Sequence, residues 1–206
     1  YGTTALWSAN NNNRLVYPFS ANQFSYMEAG MYLKELTACK LLMGWQTVPT
    51  NAATEVDLSS LGHNATYNSA DFVSTDQMLK GITWTLNFNG TSDYLSIADS
   101  DDFSFGDASN DVSFSMGGWW QVINPAGENY IMTKWDSTTG AELREWALAM
   151  TSDKKVRLYI YDESANASAY RTTNSALSVA WHFVTVVYDS GSGSGAFFFV
   201  TASSSC

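Results

Sequence analysis

Residues 156–163 read VRLYIYDE, and their alternation decides the architecture. Val156, Leu158 and Ile160 fall on one side of an extended chain and Arg157, Tyr159 and Tyr161 on the other, which is the pattern of a strand with a single core face. Outward from it, residues 181–189 (WHFVTVVYD) and 196–202 (AFFFVTA) are apolar on both alternations, as in strands buried in a sandwich or carrying another layer. The intervening DSGSGSG, residues 189–195, predicts a hairpin with a long tip. Further strands are predicted in TALW (4–7), LVYPF (15–19), SYMEAGMYL (25–33), ITWTLNF (82–88), DYLSIA (93–98), VSFSMGGWWQV (112–122), NYIMTKW (129–135) and EWALAM (145–150).

Turn-rich pieces separate these strands at short intervals: ANNNNR, NGTSD, NPAGEN, DSTTGAE, TSDKK and SANASA. Many short strands at such spacing predict an all-β antiparallel β-sandwich rather than alternating strands and helices. One short helix is expected over residues 36–45, LTACKLLMGW, with Thr37 as N-cap and Gly44 as its stop. Residues 47–72 are polar, punctuated by proline and weakly patterned, and read as a linker that then wraps the surface.

At 206 residues one domain is the expectation, large enough to bury roughly 70% of its unfolded surface without a metal or disulfide. Twenty Asp and Glu against ten Lys and Arg give a net charge of −10, which repels phosphate backbones and anionic lipid, so nucleic acid is excluded as a partner. No run reaches the ~18 apolar residues of a membrane span, and a soluble chain without membrane insertion is expected. The two cysteines, Cys39 and Cys206, define neither a disulfide framework nor a metal site by their spacing, and whether they pair stays open. Asn64, Asn89 and Asn166 begin N-x-S/T triplets, which matter only in a eukaryotic secretory pathway.

Over residues 56–200 the words DLSSLGHNATYN, LNFNGTSDYLSIADSDDFSFG, VSFSMGGWWQV, YIMTKWD, EWALAMTSDKKVRLYIYD and SVAWHFVTVVYDSGSGSGAFFFV follow one another in order. In that order they resemble a laminin-G-like domain of the concanavalin A-like lectin/glucanase superfamily, the jelly roll shared by pentraxins. The resemblance implies a closing strand, an Asn-rich loop and a final strand with a short helix after residue 200. Those pieces resemble TALWSANNNNR and FSYMEAGMYLKELTACKLL at the front of the chain instead. It follows either that the domain is circularly permuted, residues 1–45 completing the sandwich of 56–206 through a linker at 46–55, or that the chain spans two tandem copies. Permutation is favoured, because an array would leave apolar edge strands exposed.

The resemblance also implies where ligands would sit. Aligned on pentraxins, Glu128 and Asn129 take the place of an Asp-Asn pair of calcium ligands, while the other ligand positions fall at Ala9, Asn10 and Asn11, without acidic residues. Asp93 in the NGTSDY loop is a second calcium candidate, its alternative being a turn residue bonded to its own backbone. For a glycan, aromatics must stack on sugar faces beside short polar groups. Trp7 and Tyr130 near loops, with Asn10, Asn11, Asn12 and Asn13, form the expected ligand-binding set, whereas Trp120 and Trp135 alternate as core residues do.

Catalysis has little to rest on. The superfamily's glucanases imply two glutamates flanking an aspartate on one strand, absent here. Glu142 and Glu145 stand three apart, on opposite strand faces, and cannot flank one glycosidic bond. Neither His63 nor His182 stands in a visible Ser-His-Asp arrangement. The sequence therefore leads to a non-catalytic recognition or adhesion module that binds glycan or a protein partner through its loop rim, outside the cell or on a virion surface. The alternative is a structural building block, a decoration or fibre protein that assembles with itself or with other structural proteins.

Overall fold

The computed structural model describes residues 39–43, 54–59, 61–68, 71–73, 85–106, 111–123, 126–138, 143–163, 165–191 and 195–202. The chain divides into two compact units, Tyr1–Ala98 and Asp99–Cys206. The protein is all-β with antiparallel sheets, as the alternation predicts, and among the described residues the one helical element is a 3₁₀ turn, Asp101–Phe103. No helix among the described residues is long and apolar enough to cross a membrane.

In the first unit, β1 (Thr54–Glu55), β2 (Ala65–Asn68) and β5 (Tyr94–Ile97) form a sheet in the order β1-β2-β5, and β3 (Asp71–Val73) pairs with β4 (Thr85–Asn87). The stretch read as a surface-wrapping connection thus carries β1, β2 and β3. Its anchor is Asp57. Backbone N–H groups of Leu42, Ser59 and His63 and the Ser59 hydroxyl all donate to its carboxylate, at 2.6–3.0 Å.

This anchor also explains why the expected helix over residues 36–45 is not seen in its described part, residues 39–43, none of which is helical. Leu42 donates its N–H to Asp57 and accepts from Leu58 N–H at 2.8 Å, and Lys40 O accepts from the Ser59 hydroxyl. Backbone groups that a helix would pair four residues apart are taken by a distant loop, which satisfies them equally well. Cys39, within this segment, is a half-buried thiol without a disulfide. Cys206, the strands expected before residue 39 and the permuted closure by residues 1–45 lie outside the described residues.

In the second unit, β7 (Asn129–Asp136), β8 (Leu143–Met150), β9 (Val156–Asp162) and β10 (Ala167–Thr172) form a sheet in the order β10-β9-β8-β7. A second sheet has the order β12-β11-β6, from β6 (Phe114–Gln121), β11 (Trp181–Asp189) and β12 (Gly195–Ala202). The β11–β12 hairpin forms at the DSGSGSG tip, with His182 opposite Ala202 and Asp189 opposite Gly195. The first half of β10 falls within SANASA, residues 164–169, whose composition predicts a turn. The turn ends at Asn166 in a left-handed conformation (φ 48°), and Ala167 onward pairs with β9.

Both sheets of this unit contribute to a single apolar cluster: Leu148 and Met150 of β8, Val156 and Leu158 of β9, Phe114 of β6, and Val184 and Val186 of β11. Burying each of these side chains contributes about 1.5–3 kcal/mol. Trp120 packs on the cluster over Gly118, where a Cβ would come within 3.3 Å of the indole, so the neighbouring glycine makes room for the ring. Trp146 belongs to the interior as well, tilted against Phe105 and Phe114 and donating its indole N–H to Phe103 O at 2.8 Å. Buried His182 places Nε2 3.0 Å from Ser178 O.

Candidate functional site

The residues that point away from the core on β7–β10 form a layer of their own. Register sets them in rows: Tyr130, Ala149, Arg157 and Thr172 lie opposite one another across the four strands, and Thr133, Ala147, Tyr159 and Tyr170 form the next row. β8 contributes only the methyl groups of Ala147 and Ala149 to these rows, and both are fully buried. Small side chains on the middle strand allow larger ones on β7 and β9 to lean across it and meet. Trp135 reaches Tyr161 edge-on at 5.3 Å and Tyr159 at 6.5 Å. Glu128, just before β7, reaches Tyr159 and Arg157.

The β7–β8 pairing is irregular between Lys134 and Trp135: Lys134 lies opposite Trp146, and Trp135 opposite Arg144. Glu145 is the extra residue of this bulge, and its carboxylate turns to Lys134 (2.7 Å) and the Ser104 hydroxyl (3.0 Å). The shift leaves Arg144 on the outer layer, with its guanidinium 4.1 Å above the Tyr161 ring.

Each guanidinium of the layer is held by a carboxylate and by aromatic faces. Arg157 pairs with Glu128 at 3.2 Å, donates to Thr172 Oγ1 at 2.9 Å, and lies 4.8 Å from the Tyr170 ring. Arg144 donates to Glu163 through Nε (3.0 Å) and Nη2 (3.2 Å), and to Asn166 Oδ1, which also accepts from the Tyr161 hydroxyl. The Tyr159 phenol is pushed up by its burial, with the Glu128 carboxylate adding to the effect and Arg157 opposing it. Glu163 is held below the usual carboxylate range by Arg144. The layer is therefore neutral in sum, two guanidiniums against two carboxylates. Above it stand two exposed rings, Tyr130 (62% exposed) and Tyr170 (55%).

Of the residues expected from sequence, Glu128 and Tyr130 join this layer. Asn129, between them, donates its side-chain amide to Gly127 O at 3.1 Å, closing its own turn. Asp93 lies in the first unit and caps its loop, accepting from Asn89 N–H at 2.9 Å and from the Ser92 hydroxyl. Among the described residues no three His, Cys, Asp or Glu side chains cluster as ligands of a metal would. Trp7, Asn10, Asn11, Asn12, Asn13 and Glu142 lie outside the described residues.

Trp135 corrects the core assignment made from alternation. It is half-buried on the outer side, and the bulge beside it explains why counting by twos misplaces it. Arg144, Arg157, Tyr159, Tyr161 and Tyr170 were not singled out from sequence. The signal for three of them was present in VRLYIYDE, whose non-core face carries Arg157, Tyr159 and Tyr161 before ending at Glu163.

Comparison of the chain with protein-family models, with curated proteins and with solved structures finds no match in any of the three.

Proposed function

We propose that this chain is a non-catalytic recognition module that binds glycan through the outer layer of the β7–β10 sheet. The observation that carries this reading is the pair of exposed tyrosines, Tyr130 and Tyr170, standing on a layer whose other aromatic and polar groups are fixed by one another. A ring held at a rigid surface offers a flat apolar face to the C–H side of a sugar at low entropic cost. Donors and acceptors close by, in Arg157, Glu128 and Thr133, suit hydroxyls. The reading differs from the loop-rim expectation in placing the contact on strands. It also dispenses with calcium, since the Glu128 carboxylate already faces the fixed positive charge of Arg157.

The test is glycan-array binding of the intact protein, wild type and Glu128→Ala, with and without a chelator. Binding that survives chelation and weakens in the variant supports the reading, because Arg157 and Tyr159 lose the group that positions them. Absence of binding to every glycan overturns it.

A second reading, a structural building block, draws on the other sheet. There Phe183, 37% exposed, packs against Trp119 at 5.4 Å on the side away from the core. Ordered oligomers in sedimentation, lost in Phe183→Ser and unaccompanied by glycan binding, would put this reading in place of the first.

A further inference from the structure

We infer, resting on the recognition reading above, that the ligand is an uncharged pyranoside chain that crosses the strands from Tyr130 to Tyr170 over Arg157. The register sets the span. Tyr130 on β7 and Tyr170 on β10 are separated by three strand spacings, and their rows are adjacent. At about 4.8 Å per strand and about 6.8 Å per side-chain repeat, the two rings stand roughly 15–16 Å apart. A monosaccharide reaches one ring, and only a chain of several sugars reaches both.

The middle of that path is polar. Arg157 is positioned by Thr172, Glu128 and the Tyr170 ring, and its Nη2 makes no hydrogen bond among the described residues. It can donate to a hydroxyl or ring oxygen of a sugar between the two stacking points. Charge selects against acidic chains. Arg157 and Arg144 are each compensated by a carboxylate, and the whole chain carries −10, so uronate or sulfate would meet no net attraction and a repelling background. Between the tyrosines lie Thr133, Tyr159, Arg157 and Thr172 over two buried alanines, so hydroxyl and guanidinium groups stand beside flat ring faces along the path.

The test is calorimetric titration of the intact protein with neutral β- and α-linked glucan, mannan and chitin oligosaccharides, from disaccharide to hexasaccharide, alongside uronate oligomers of matching length. Affinity is expected to climb steeply between disaccharide and tetrasaccharide, to fall about tenfold in Tyr130→Ala and in Tyr170→Ala, and to return in Tyr170→Trp. Both tyrosines are exposed, so thermal unfolding of the variants is expected to match wild type and to separate lost binding from lost folding. Neutral oligosaccharides bound with no length step, or bound equally by both alanine variants, overturn the two-ring path while the recognition reading stands. Preference for uronates overturns the neutral-ligand assignment. Failure of all these sugars overturns the two-ring path, and a blank glycan array beside it overturns the recognition reading as well.

Discussion

Two side chains show how single groups hold the fold, and both respond to pH. Burial raises the proton affinity of the Asp57 carboxyl, but the Ser59 hydroxyl and the N–H groups of Leu42, Ser59 and His63 outweigh burial and hold its pKa below the ordinary value of 3.8. A carboxyl whose folded pKa is depressed stabilises the fold above that ordinary value and loses its contribution as the pH falls toward the folded one. Asp57→Asn keeps one acceptor, loses the second oxygen and the charge, and is expected to cost about 1–3 kcal/mol in urea unfolding at neutral pH. Stability of the variant should fall less steeply below pH 4 than that of wild type, and exchange of the Leu42 amide should quicken. Tyr188 works in the opposite sense. Burial, reinforced by its bond to Asp111, pushes the phenol up to about 12 from 10.0. Its contribution is complete below pH 10 and lost as the pH climbs toward 12, so ultraviolet titration should show one fewer late-ionising phenol in Tyr188→Phe than in wild type, where Tyr67 and Tyr159 are also pushed up.

At the scale of elements, β8 carries opposed demands on alternate residues. Leu148 is fully buried in the core cluster, while Ala149 is fully buried beneath the outer layer. Leu148→Ala should open a cavity and cost about 2–5 kcal/mol in denaturant unfolding. Ala149→Leu should cost less, about 1–3 kcal/mol, yet weaken glycan binding more, because the added side chain crowds Tyr130 and Arg157, which stand on either side of it in the row. The strands of the second unit were legible in the sequence where alternation was clean, as in VRLYIYDE, or where two apolar runs flanked a glycine-serine turn, as in the β11–β12 hairpin. β10 was not, because Ala, Ser and Asn say turn by composition and the pairing of Tyr170 opposite Tyr159 is a tertiary event. The expected helix failed over residues 39–43 for a like reason: local propensity yielded to Asp57, fifteen residues beyond Leu42. Of the candidate site, Glu128 was read from a resemblance and Tyr130 as an aromatic beside a loop, whereas Trp135 was hidden by a bulge that no periodicity reveals.

For the molecule as a whole, charge shapes how it meets a partner. A chain of net charge −10 whose contact layer is internally balanced should bind neutral sugar with affinity nearly unchanged from about 0.05 to about 0.5 M sodium chloride, since no long-range attraction is there to be screened. A fall of tenfold or more over that range, read by the same calorimetry, would mean an ionic ligand instead. The alanine floor under the layer carries a last implication, for how such a surface changes over generations. The groups that would touch a ligand sit on strand positions that neither fill the core nor make a turn, so replacing one alters recognition while the backbone and interior stay as they were. Ala147 and Ala149 have no such latitude, because every ring and guanidinium above them depends on the low strand between. In a saturation-mutagenesis library sorted for folded protein, Tyr130 and Tyr170 should therefore accept more residue types than the two alanines do. The molecule thereby divides its sequence into a part that inheritance must keep and a part with which it is at liberty to experiment.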